Sequence, residues 1–291
     1  MPPRIVVAGI FAFWLATTGF VFHRDLWPRI FASGPPPVSI ELADEARQNI
    51  PAKWILQRNG QQVGRLTTQM KYLDAEDTFQ FSYHYSEFKL DQGDISLVAS
   101  EAVSVVRMTR AGDLKEQTMD GKVKVLLRGN EIVQGTINIH GVVANKVLTG
   151  RAELKSNWGN LVGDLDPVPV PPHGQPLNPL QPVNRLHVRA SQEWVVHESN
   201  PLQDAVRDLL KKKIAEVGLR LPEEKQKPSL VARVSNSPQT LTWKREEAAC
   251  WVIEYRREEV VARTWVRESD GKVLRQEAFE KGENLTFERD D

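Results

Sequence analysis

From Ala52 onward, hydrophobic and polar positions alternate with a period of two, the spacing of a strand with one face buried. Lys53 to Arg58 and Val63 to Met70 read as two such strands, and Asn59-Gly60 between them supplies the positive φ that a tight hairpin needs. The alternation is sharpest from Thr78 to Ser86. There Phe79, Phe81, Tyr83 and Tyr85 face one way, and Thr78, Gln80, Ser82, His84 and Ser86 face the other. Further strands are expected at Ala102 to Arg110, Leu114 to Met119, Lys122 to Arg128, Glu131 to His140 and Val142 to Lys155. Ala111-Gly112-Asp113, Asp120-Gly121 and Gly129-Asn130 are read as their turns. The pattern predicts an antiparallel sheet built mainly from sequence neighbours.

The alternation stops between Pro167 and Pro182, where seven of sixteen residues are proline. Proline gives no donor to a ladder, so a central strand is excluded and a crossover strap or an ordered binding loop remains. The period then changes to that of a helix. Asn200 can cap it, Pro201 suits its first position, and Leu202, Ala205, Val206, Leu209, Leu210, Ile214 and Val217 form one apolar stripe. Lys211, Lys212 and Lys213 complement the negative end of the dipole, and Gly218 stops the helix. Strands return at Leu230 to Val234, Thr240 to Lys244, Cys250 to Arg256, Val260 to Glu268, Val273 to Phe279 and Leu285 to Arg289. Trp251, Ile253 and Tyr255 share a face, whereas Val261, Ala262 and Trp265 can do so only if a bulge intervenes.

One stretch departs from all of this. Ile5 to Phe22 holds eighteen residues without a charge. As a helix it would be about 27 Å long, close to the ~30 Å thickness of a bilayer's hydrocarbon. A cleaved signal peptide and a buried core helix compete with a membrane anchor, and the length of the run favours the anchor. Arg4 before it and Arg24 and Arg29 after it leave the charge bias almost tied. The expected layout is an N-terminal transmembrane anchor over 1–30, a proline-containing tether over 31–50, a first β-rich half over 51–163, a proline-rich strap over 164–186 and a second β-rich half over 187–291 with its helix at 200–217. The fold class is mainly β (α+β): curved antiparallel sheet with one packed amphipathic helix, plus the N-terminal transmembrane helix.

Composition narrows the function. Lys plus Arg (38) equals Asp plus Glu (38), so no net field draws the chain to nucleic acid. The single cysteine, Cys250, lies in an apolar run and reads as a buried, inert thiol. The six histidines, at 23, 84, 140, 173, 187 and 197, lack the i, i+4 spacing of a metal pair. Asp164 and Asp166 fall far short of a calcium shell. Nucleophile elbows, phosphate-binding glycine loops and dinucleotide fingerprints are missing. No cofactor and no metal are therefore expected. A hydrolase would need a triad assembled from distant residues, for example a serine with His173 and Asp164 or Asp166.

Two stretches carry a resemblance. Arg263-Thr-Trp-Val-Arg-Glu-Ser-Asp-Gly-Lys-Val-Leu-Arg-Gln-Glu277, continuing to Leu285-Thr-Phe-Glu-Arg289, resembles the terminal hairpins of bacterial envelope proteins with the lipoprotein-carrier type of half-barrel. The strap Pro176 to Leu186, followed by Gln192-Glu-Trp194, is similar to uncharacterised membrane-anchored bacterial proteins of this layout. The resemblance implies an envelope protein with a curved, β-rich body. The expected function is non-catalytic binding outside the cytoplasm, anchored in the inner membrane through residues 5–22. The ligand is a lipid or another apolar molecule held in the curved sheet, with Phe79, Phe81, Tyr83 and Tyr85 as the candidate face. Alternatives are a structural scaffold that binds another envelope protein, and the scattered-triad hydrolase.

Overall fold

Neighbouring segments pair throughout the first half of the body. β1 (Ala52–Arg58) turns at Asn59 (φ 50°) and Gly60 (φ 80°) into β2 (Gln61–Leu73). β3 (Thr78–Gln92), β4 (Ile95–Thr109), β5 (Leu114–Leu127), β6 (Asn130–Ala144), β7 (Val147–Ser156) and β8 (Gly159–Pro169) extend the antiparallel meander. The second half contains β9 (Glu193–Val196), α1 (Pro201–Glu216), β10 (Leu230–Val234), β11 (Gln239–Trp243), β12 (Glu246–Arg256), β13 (Val260–Arg267), β14 (Val273–Glu280) and β15 (Glu283–Arg289). This computed structural model describes residues 51–92, 95–109, 113–157, 159–170, 188–196, 200–216, 229–280 and 282–291.

The two halves are one sheet. Its order is β8-β7-β6-β5-β4-β3-β2-β1-β15-β14-β13-β12-β10-β9, with β11 paired to β12 alone. The join is made by the first and last strands, which pair antiparallel with Trp54 opposite Arg289. Both large cores lie on the same face, and Tyr83 touches each of them. One core gathers Phe79, Phe81, Val106, Met108 and Ile139 together with Leu202, Ala205 and Leu209 of α1; the other gathers Trp54, Leu56, Leu66, Ile253 and Val266. Register shifts between Ala99 and Glu101, and between Leu148 and Gly150, add the local twist that helps an open antiparallel sheet to curve.

Several sequence expectations are corrected. Asp120-Gly121 is no turn, because β5 runs straight through it. Gly121 is small for another reason: a Cβ there would lie 3.2 Å from the Ala102 Cβ on the next strand. The turn expected at Gly129-Asn130 is present one residue earlier, at Arg128 (φ 50°) and Gly129 (φ 82°), and an unforeseen one, at Asn145 (φ 50°) and Lys146 (φ 61°), divides the stretch read as one strand from Val142 to Lys155. Residues 164–169, assigned to the strap, are the end of β8, and their prolines sit where a strand has a neighbour on one side only. β13 bulges at Val261, which brings Val261 and Ala262 against one core, but Trp265 stays on the opposite face, packed against the cluster of Leu241, Cys250 and Leu274. The anchor segment 5–22, the tether and the rest of the strap lie outside the described residues. Among those described, no helix is long and apolar enough to cross a membrane.

The helix behaves as its stripe predicts. The Asn200 side chain accepts from the Gln203 N–H at 3.1 Å, and Leu202, Ala205 and Leu209 are buried. Two glycines make room for it. A Cβ on Gly141 would come within 3.0 Å of Leu202 Cδ1, and one on Gly163 within 2.7 Å of Leu209 Cδ1. Each buried leucine contributes about 1.5–3 kcal/mol. Lys212 Nζ reaches Asp166 Oδ2 at 2.6 Å, tying the helix to β8.

Acid weakens this fold. The carboxyl groups of Asp270, Asp291 and Glu254 are all held below their ordinary range. Burial alone would raise each, but Arg267, Arg289, and Arg256 with Arg263, respectively, outweigh it. A carboxyl with a depressed native pKa binds more protons when unfolded. Its stabilisation is present above the unfolded pKa and lost as pH falls through the native one. Thermal melts should therefore show a midpoint that declines from about pH 5 downward. A midpoint constant down to about pH 3 would contradict the pairing.

Candidate functional site

The aromatic row occupies one strand and one face, but its members differ. Phe79 and Phe81 are buried in the core cluster that also takes in Leu202, Ala205 and Leu209 of α1, and the Phe79 ring lies 4.9 Å from that of Tyr72. Tyr83 is half-buried between the two cores. Tyr85 packs beside Phe88, with ring centroids 6.5 Å apart, and burial pushes its phenol pKa upward. The protein's own side chains thus fill the first half of the row, and its second half leads into more open surface.

That surface is defined by the register. Tyr83 stands in line with Ser104, Met119 and Ile139; Tyr85 with Ala102, Gly121 and Ile137; Phe88 with Ala99, Val123 and Gly135; and Leu90 with Leu97, Val125 and Val133. None of these residues is charged. The middle of the face is paved by small ones, Ser104, Ala102, Gly121 and Ala99, while larger apolar side chains rise on both sides. Met119 is 38% exposed, Leu97 37%, and Leu127, at the end of the same face, 42%. Three large hydrophobic residues are thus left open on a face otherwise used for core. Sequence reading missed Leu97 because the β4 bulge reverses the parity between Ala102 and Ala99. Two inward residues three apart in one strand were the available signal.

The opposite face of the same strands is charged. A groove of about 460 Å³ runs over β4 to β7 there, with Lys122, Lys155, Asp120 and Glu153 among its lining residues. Nearby, His140 Nε2 lies 2.9 Å from Glu116 Oε1, and Arg107 Nη1 lies 3.2 Å from Glu116 Oε2. His84 is exposed on this face, whereas His173, His187 and His197 lie outside the described residues. Among the described residues no three His, Cys, Asp or Glu side chains converge as metal ligands. Asp166 is engaged by Lys212. Cys250 is fully buried against Leu241 and Leu274, and burial pushes its thiol up to about 11, against the pull of Arg267 and Arg275.

Comparison with known proteins adds a distant likeness in fold. No protein family model matches the chain, and neither does any curated protein. Among solved structures it is similar to a β-barrel-like protein of a domain of unknown function, DUF1849, from Brucella abortus. That similarity covers 83% of this chain and 95% of the other at 10% identity, with a TM-score of 0.34. It is too loose for any function to be carried across.

Proposed function

We propose that the protein is a non-catalytic binding protein that takes an apolar, chain-like ligand such as a lipid acyl chain. The ligand lies on the inner face of β3 to β6, beyond the part covered by α1. One observation carries the reading: this face has no charge in its rows and leaves Leu97, Met119 and Leu127 open around a floor of small residues. A narrow floor between larger walls suits a linear hydrocarbon better than a fused ring system. Each methylene withdrawn from water contributes about 0.8 kcal/mol. Tyr83 and Tyr85 form one wall, while Phe79 and Phe81 brace the floor from the core side. The apolar run at 5–22 is consistent with delivery at a membrane, with the body outside the cytoplasm.

Displacement of a fluorescent fatty-acid analogue tests this reading. Met119→Glu places a charge in the open trough without entering the core, and should weaken binding about tenfold or more. Its thermal midpoint should stay near that of the parent, since Met119 is already partly solvated. Equal affinity in parent and variant, or no saturable binding in either, would remove the proposal.

A further inference from the structure

We propose that the outer face carries a second, independent site for a small zwitterion with an anionic group at one end and a primary ammonium at the other. The groove over β4 to β7 is organised symmetrically about β6. Thr136 on β6 lies between Lys122 on β5 and Lys155 on β7. Two residues further along the strand, Asn138 lies between Asp120 and Glu153. Strands sit about 4.8 Å apart and alternate residues about 6.7 Å apart. The outcome is a cationic pair facing a hydroxyl, and one step along it an anionic pair facing an amide.

The charges present are available for exchange. Lys122 lies 3.7 Å from Glu101, with both side chains about two-thirds exposed, and Lys155 lies 3.0 Å from Glu153. Asn138 donates to Asp120. Exposed pairs of this kind contribute about 0–1 kcal/mol, so a ligand that offers a phosphate or carboxylate to the lysines displaces them at little cost. The same ligand's ammonium then lies against Asp120 and Glu153, the second of which has lost Lys155, while Glu101 at the edge of the groove is left to solvent. The Thr136 hydroxyl has no hydrogen-bond partner among the described residues and can donate to the anion. A quaternary ammonium fits less well, because it has no N–H to give Asp120 and Glu153.

The probe is O-phosphoethanolamine, titrated into the full-length chain and followed by ligand-observed NMR. Saturable binding is expected. It should weaken about tenfold or more in Lys122→Gln/Lys155→Gln and in Asp120→Asn/Glu153→Gln, and the same loss is expected for inorganic phosphate or ethanolamine alone. These four side chains are on the surface, and an unchanged thermal midpoint checks that the variants fold. Co-sedimentation with phosphatidylethanolamine vesicles, compared with phosphatidylglycerol vesicles, then distinguishes a lipid headgroup from a free solute as the source. Absence of saturable binding, binding by either double variant as tight as the parent's, or vesicle binding without binding of the free headgroup would overturn the site. Met119→Glu leaves this binding unchanged, so the two faces fail or stand separately.

Discussion

Replacing Trp54 with alanine lowers the unfolding free energy by about 3–5 kcal/mol. Trp54 is 1% exposed and belongs to the strand that pairs with β2 on one side and with β15 on the other, so it sits at the seam of the two halves. Its indole N–H donates to Thr68 Oγ1 at 2.9 Å, and the Arg289 guanidinium lies 5.7 Å from its ring centroid. Truncation opens a cavity, leaves the Thr68 hydroxyl without its donor and strips the aromatic partner from Arg289, which is itself only 7% exposed. Domains are typically stable by only about 5–15 kcal/mol, so the loss is a large fraction of the total. Urea denaturation measures it. Trp54→Phe, which keeps most of the volume and loses the hydrogen bond, should cost about 1–2 kcal/mol. A cost below about 1 kcal/mol for the alanine variant would mean that the seam contributes little to stability.

Gly150→Ala is the second large effect, at about 3 kcal/mol or more. A Cβ built on Gly150 would stand 2.0 Å from the His140 carbonyl oxygen and 2.8 Å from the Gly141 Cα, so it meets backbone on the paired strand. No rotamer relieves such a clash. β6 and β7 must separate where the pairing with β8 already shifts register, between Leu148 and Gly150. Gly163→Ala is the control. Its added Cβ meets the flexible end of Leu209, which can move, and the expected cost is about 1 kcal/mol. Parallel thermal melts give the comparison, and equal losses in the two variants would contradict the backbone argument.

The strand pattern was legible where one face is core and the other solvent, as from Thr78 to Ser86 and from Cys250 to Arg256, because burial enforces a period of two. The Asn200 cap and the stripe of α1 were legible for the same kind of reason: local rules and packing agree there. Glycine was less readable. In Asp120-Gly121 it marks close approach to Ala102 within a strand, not positive φ, and the sequence has the same letter for both uses. The pairing of β1 with β15 joins residues at opposite ends of the body, and no local signal carries it. The candidate face was half legible. The aromatic row was visible as a row, but which of its rings are buried in a core depends on long-range packing, including a helix more than one hundred residues later that joins the same cluster. Leu97, Met119 and Leu127 gave no signal of their own, since exposure is set by what fails to pack on them.

Native mass spectrometry of residues 51–291, purified without detergent, bears most directly on the central claim that the inner face holds an acyl chain. The account predicts co-purifying mass that organic solvent releases and identifies as lipid, and that is lost from Met119→Glu. A folded parent protein that flies at its bare polypeptide mass, and still does so after incubation with fatty acid, would contradict it.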